Sequence, residues 1–237
     1  MTIALIDGDI VAYRSAASCE PNKKRTYQEP LEVALLRTEE LMKRIVHETK
    51  ATAFICYLSG GSNYRNTYNP EYKANRKDVP RPAWLQPVRE YLVTEWNAKV
   101  EDDQEADDAM GIAQCTAEKG TTTICTIDKD LLMIPGFHYN FVTGEHREQF
   151  RIPAIRHFYY QLIMGDRTDN IFGFDGLARH TVPKKMEGII AELDSYDDEL
   201  DMLSFVRGLY NDDERFLMNC RCLWIRRKED EIWEWPE

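Results

Sequence analysis

Residues 2–6, 52–58 and 121–127 are short apolar runs rich in β-branched side chains, and they constrain this chain more than any other feature. Each is of strand length, and each is followed at once by polar residues: Asp7-Gly8-Asp9, Ser59-Gly60-Gly61 and Asp128-Lys129-Asp130. Between the first two runs, Leu31, Leu35, Thr38, Leu41/Met42 and Ile45 recur at helical spacing, which predicts one long amphipathic helix. Further helices are predicted over 10–18, 83–97 and 104–118, with a short strand near 98–101. Strands alternating with helices predict an α/β fold with a mainly parallel central sheet flanked by helices. At 237 residues and 43% hydrophobic content the chain can bury one sizeable core, as one domain or one domain plus a smaller unit.

Ligands of such sheets bind beyond the carboxyl ends of the strands, and that is where the acids lie. Asp7 follows the first run, Asp128 and Asp130 follow the third, and Glu105-Ala106-Asp107-Asp108 opens a helix. In an ideal helix Glu105 and Asp108 share a face at i, i+3, whereas Asp107 reaches that face only from its edge. An acidic first turn alone complements the helix dipole. Three acidic features at neighbouring strand ends are better explained by one shared metal site. An all-oxygen donor set suits Mg²⁺ or Mn²⁺ rather than zinc. The six cysteines form no CxxC pair, and Cys56 and Cys125 read as apolar filler in buried strands of a reducing compartment. Asp9 reads as a helix cap or an indirect metal contact.

The formal net charge of −11 argues at first sight against a nucleic-acid partner, but it is unevenly spread. Residues 64–89 hold six basic residues (Arg65, Lys73, Arg76, Lys77, Arg81, Arg89) against Glu71 and Asp78, a local net of +4. A basic segment beside an acidic pocket suggests phosphate binding next to metal binding. Beyond Pro153 the stripe Ile155, Phe158, Tyr159, Leu162, Ile163 predicts a packing helix leading into Gly165-Asp166-Arg167-Thr168-Asp169-Asn170. Residues 173–185 read as turns followed by helix. The C-terminal third is helix-prone and acidic, and its Trp224, Trp233 and Trp235 read as packing. No run is long and apolar enough to span a bilayer, and the sequence opens on a strand without a basic leader, so a non-secreted, cytoplasmic protein is expected.

Taken in order, Asp7-Gly8, Tyr64-Arg65, Tyr72-Lys73-Ala74-Asn75-Arg76, Glu105-Ala106-Asp107-Asp108, Thr126-Ile127-Asp128-Lys129-Asp130-Leu131 and Gly165-Asp166-Arg167-Thr168-Asp169-Asn170 resemble the 5′-nuclease family. That family includes flap endonucleases, the 5′-nuclease domain of bacterial DNA polymerase I and bacteriophage 5′→3′ exonucleases. The likeness covers roughly residues 1–185, and the chain's length looks most like the stand-alone bacteriophage members. It implies a PIN-like nuclease core over 1–150, with a helical arch at 64–90, and a helical DNA-binding unit over 151–237. The implied activity is metal-dependent 5′→3′ exonuclease and 5′-flap endonuclease cleavage of DNA by a two-ion mechanism, in replication, primer removal or nucleotide recovery.

By the same resemblance Asp7, Glu105 and Asp107 surround one Mg²⁺ or Mn²⁺ ion. Asp128, Asp130 and Asp169 surround a second, with Asp108 and Asp166 close by. Lys73 contacts the scissile phosphate and Arg76 an adjacent one. Arg65, Lys77, Gly176 and His180 contact nucleic acid, and Tyr72, with Tyr68 and Trp84, stacks on unpaired bases or packs the arch. The implied partners are DNA with 5′ ends, flaps or nicks, RNA–DNA hybrids in addition, and no membrane; a monomer is expected. Two departures stand out. Leu58-Ser59-Gly60-Gly61 lacks the aspartate that many members carry there, which predicts weaker binding of the first ion. After GDRTDN, Ala178 replaces a glycine of the usual helix-hairpin-helix, which weakens the case for a K⁺ site. A PIN-like RNA-directed nuclease is disfavoured by the YKANR and GDRTDN segments. A non-catalytic branched-DNA-binding protein has only the missing aspartate in its favour.

Overall fold

The computed structural model describes residues 2–236. Six strands form one sheet in the order β3-β2-β1-β4-β5-β6. They are β1 (Ile3–Asp7), β2 (Ala53–Ser59), β3 (Lys99–Glu101), β4 (Thr122–Cys125), β5 (Gly136–Asn140) and β6 (Glu145–Gln149). The first five are parallel, and β6 returns antiparallel along the β5 edge. β1 lies between β2 and β4, so the strand order reverses beside it, where open α/β sheets hold their ligands. The register Asp7↔Tyr57, Ile6↔Cys125 and Ser59↔Glu101 brings the strand ends to one edge, with Asp7 in the middle.

Alternate side chains of β1 feed opposite faces of the sheet, as the period of two requires. Ala4 and Ile6 join Cys56, Leu58 and Cys125 under α1 (Gly8–Ala17), α2 (Leu31–Glu48) and, after the short α3 (Arg65–Tyr68), α4 (Leu85–Trp96). Leu5 and Ile124 face the other way, against α5 (Ala106–Thr116) and α6 (Arg151–Met164). That second core continues without a break into α7 (Glu187–Asp194), α8 (Glu199–Leu209) and α9 (Asp213–Leu223). Phe158 meets Trp224 edge-on at 5.0 Å, and Trp224 and Trp233 are buried as expected of packing residues. None of the described helices is long and apolar enough to cross a membrane.

Glycine is required where α1 leaves β1. A Cβ on Gly8 would lie 2.5 Å from the Tyr57 carbonyl oxygen and 2.7 Å from Cys56 Sγ, so only hydrogen fits between the helix start and β2. Segment 64–90 departs from the expected helical arch. Apart from the start of α4 it holds one turn of α-helix, α3, and a 3₁₀ turn at Ala74–Arg76. Prolines at 70, 80 and 82 and a left-handed Lys73 (φ 55°) interrupt any longer helix. The strand pair β5–β6 was not foreseen.

Candidate active site

Asp7 ends β1 and caps α1, accepting from the Ile10 N–H at 2.9 Å and from the Thr126 hydroxyl at 2.6 Å. It is only 2% exposed. Burial, with Asp9 and Asp128 adding repulsion, pushes its carboxyl up to about 7 despite those two hydrogen bonds. Asp107, on the first turn of α5, is raised well above the usual carboxylate range by burial and by Asp7, Asp128 and Glu105. Asp128 is raised by burial and Asp166, although it accepts the Asp130 N–H at 3.0 Å. Asp130 is raised further, by burial and by Asp128, Asp166 and Asp169, while Gln161 of α6 donates to it at 2.5 Å. Asp7, Asp107, Asp128 and Asp130 thus form a string of acids in which each destabilises its neighbours' charge.

Glu105 and Asp169 have a different environment. Lys73 pairs with both, lying 3.5 Å from Asp169, and Arg76 reaches Asp169 at 2.5 Å. The Tyr72 hydroxyl lies 2.9 Å from Glu105 and 2.6 Å from Asp169. Burial opposes ionisation of Glu105, but Lys73 and Arg65 outweigh it and hold the carboxyl down at about 2. Asp169 nevertheless stays raised, because burial, with Glu105 and Asp166 adding repulsion, outweighs Lys73 and Arg76. The chain's own cations therefore hold Glu105 in its charged form and leave Asp169 with the raised acids.

Several expected roles are corrected here. Asp108 is fully buried and faces away from the acidic string, onto Arg65 at 2.5 and 2.8 Å. Glu105 and Asp108 close a capping box at the start of α5, and Asp107 rather than Asp108 faces the other acids. Arg65 is 2% exposed, and besides Asp108 it donates to the carbonyls of Cys222 at 2.8 Å and Trp224 at 2.7 Å, so no side is left for a phosphate. Tyr72 is buried with its hydroxyl spent on two carboxylates, which removes it as a stacking platform. Asp9 does not cap α1, since Asp7 does; Asp9 accepts the Ser59 N–H at 2.9 Å and pairs with Arg89. Ser59 turns its hydroxyl to the Ala106 N–H at 3.0 Å, which occupies it in holding α5.

Asp166 organises the turn that carries Asp169, accepting the N–H groups of Thr168 at 2.6 Å and Asp169 at 3.3 Å. Lys77 is exposed beyond the 3₁₀ turn. Gly176 and His180 are exposed on the loop between α6 and α7, further along the segment that carries Asp166 and Asp169. Reading the sequence missed Thr126, Gln161 and Arg89. Gln161 carried a signal, a polar residue 7% exposed within the apolar stripe of α6.

Among the described residues, no three such side chains converge into a ready-made ligand shell. The donor chemistry nevertheless fits a divalent ion, because the donors are carboxylate oxygens whose mutual repulsion a cation would relieve.

The sequence profile of the 5′–3′ exonuclease N-terminal resolvase-like domain matches residues 2–157. DNA polymerase I of Bacillus subtilis (strain 168) is 26% identical over 227 residues, 87% of this chain and 25% of that protein. The thermostable DNA polymerase I of Thermus filiformis is 23% identical over 218 residues, 86% of this chain and again 25% of that protein. The chain thus spans about a quarter of these relatives. Among solved structures, the bacteriophage T5 5′-exonuclease with bound zinc is 20% identical with a TM-score of 0.63, covering 94% of this chain and 88% of that one. A T5 flap endonuclease complex with DNA and metal ions matches at 18% identity and TM-score 0.63, over 94% and 89% of the two chains. The profile match over residues 2–157 shows that the chain belongs to the 5′–3′ exonuclease family, a family of phosphodiester hydrolases.

Proposed function

We propose that this protein is a metal-dependent 5′→3′ exonuclease with 5′-flap endonuclease activity on DNA. The observation that carries the reading is the string of mutually destabilised acids Asp7, Asp107, Asp128 and Asp130 set directly against the cations Lys73 and Arg76. Asp7, Asp107 and Glu105 would hold one Mg²⁺ or Mn²⁺ ion, and Asp128, Asp130 and Asp169 a second, with Asp166 shaping the turn beneath. Such ions supply a nucleophilic water and neutralise charge at the phosphoryl oxygens. Asp108 takes no part beyond fixing α5. Thr126 and Gln161 orient Asp7 and Asp130. Lys73, 25% exposed, and Arg76, 45% exposed, are placed to exchange a carboxylate partner for a phosphate. The exposed loop with Gly176 and His180 would meet the duplex beyond the cut, which makes 151–237 the duplex-binding unit beside the 1–150 nuclease core.

Purified protein incubated with 5′-flap, nicked and blunt duplexes, in DNA and RNA versions, with Mg²⁺ or EDTA, tests this. Metal-dependent release of short 5′ products from DNA flaps is expected. Binding without cutting would leave a non-catalytic DNA-binding protein, and cutting of RNA alone would favour the PIN-like alternative.

A further inference from the structure

Hydrogen bonds within the chain commit particular carboxylate oxygens of the acids. The Thr126 hydroxyl, which donates to Asp7, accepts the Asp128 N–H at 2.9 Å, and Asp128 Oδ1 accepts the Asp130 N–H at 3.0 Å. The series ends on α6, where Gln161 Nε2 donates to Asp130 Oδ1 at 2.5 Å. No group among the described residues donates to Oδ2 of Asp128 or Asp130. Each of these two acids thus gives one oxygen to the protein and has the other free. Gln161 sits between the buried Phe158 and Leu162, and its Oε1 is enclosed without a hydrogen-bond partner. An enclosed amide oxygen without a donor is unfavourable in a core. Turning the amide over would set Oε1 against Asp130 Oδ1, oxygen against oxygen, so the carboxylate dictates which way the amide points. A leucine would fill this apolar stripe without that cost, so packing alone does not account for Gln161. One turn earlier on the same face, His157 hydrogen-bonds the Lys129 backbone between Asp128 and Asp130. The helix therefore grips the acidic loop at two points.

We propose that Gln161 is a positioning residue that sets ion selectivity: by occupying Oδ1 of Asp130 it makes that carboxylate a single-oxygen ligand, which favours Mg²⁺ over Ca²⁺. The proposal rests on the metal-dependent reading above, and Gln161 lies outside every motif that carries the family likeness. Mg²⁺ demands a tight octahedron, keeps several waters and takes one oxygen from each of a few carboxylates. Ca²⁺ gathers about six to eight oxygens and gains from carboxylates that bind through both. Asp128 is restricted in the same way by a backbone N–H, which no side-chain change removes. Gln161 is the part of the restriction that a side chain controls.

The test titrates the metal-free whole chain with Mg²⁺ or Ca²⁺, at pH 8 and without DNA, and reads an apparent Kd for each ion from the rise in Tm. Gln161→Leu is expected to weaken Mg²⁺ and tighten Ca²⁺, moving the ratio of the two Kd values by about tenfold, the scale on which partners of a metal ligand act. Gln161→His returns an N–H to Asp130 and should restore most of the wild-type ratio. Gln114→Leu is the control, because Gln114 is an equally buried amide bonded to the Phe137 carbonyl and the Thr122 hydroxyl rather than to an acid. Its ratio should match wild type. If Gln161→Leu gives no cooperative unfolding transition, Gln161→Met replaces it. Equal weakening of both ions in the Gln161 variants, or the same change of ratio in Gln114→Leu, overturns the proposal. Should wild type bind neither ion, the metal-dependent reading fails and this proposal with it. Mg²⁺-dependent flap cleavage with an unmoved ratio leaves that reading standing and removes only this role of Gln161.

Discussion

Lys73 has a left-handed backbone (φ 55°) and spends its ammonium on Glu105 and Asp169. If its partner during catalysis is the scissile phosphate, Lys73→Ala should lower kcat by about 10²–10³-fold, the usual loss for one transition-state contact, with little change in the Kd for uncleaved duplex. Single-turnover rates and equilibrium binding on the same flap duplex separate these quantities, and a loss confined to Kd would make Lys73 a positioning residue. Arg65 has the opposite fate. Both oxygens of Asp108 and two main-chain carbonyls surround it. Arg65→Met leaves a buried carboxylate without its cation, so urea unfolding should show a loss of about 3–5 kcal/mol. Unchanged stability with weakened DNA binding would restore Arg65 as a phosphate contact. The sequence placed Arg65 in a basic stretch and Asp108 in an acidic one. It could not show that the two cancel each other, because that depends on which face of α5 meets the 222–226 segment.

Among the elements, β1, β2 and β4 were legible because strands buried on both faces leave unbroken apolar runs. β6 (Glu145–Gln149) was not, since four of its five residues are exposed and polar and nothing alternates. The arch was misjudged for a related reason: motif order located the segment, while prolines decided its shape. Within α6, His157 stacks near Tyr160 and its Nε2 is enclosed without a partner. Burial pushes its pKa down to about 4 against a Lys129 backbone contact that raises it. The unfolded chain takes up this proton near 6.5, whereas the folded chain resists until about 4. The associated stability is therefore complete above pH 6.5 and is lost as pH falls through that window. The difference in unfolding free energy between pH 7 and pH 5 should shrink in His157→Phe, and an unchanged difference would exclude His157 as its source.

For the molecule as a whole, the acids couple folding to metal. Unfolded Asp7 ionises near 3.8 and folded Asp7 near 7, so the fold holds a proton that the unfolded chain has released. In EDTA, stability should fall as pH rises through that range, the reverse of the His157 contribution. Mg²⁺ displaces that proton, so the rise in Tm on adding it should be several degrees and greater at pH 8 than at pH 5. A Mg²⁺ effect independent of pH between 5 and 8 would argue against Asp7 as a ligand. The motif order made the family legible from the sequence. That Glu105 is held in its charged form while Asp7, Asp107, Asp128, Asp130 and Asp169 are raised was not legible, because it arises from contacts among segments 7, 73–76, 105–107, 128–130 and 169.

The Arg65 contacts to Cys222 and Trp224 span 157 and 159 residues of chain, and Arg226 gives its N–H to Asp108 at 3.1 Å across 118. The helix that presents Glu105 and Asp107 is thus braced from behind by a segment that follows it by more than a hundred residues. Long-range contacts of this kind close late in folding. During synthesis the acids and the basic segment are made early, yet their brace waits for residue 226. A nascent chain would then carry every acid of the candidate site while lacking the support that aligns them, so a folded site has to wait until residue 226 has emerged.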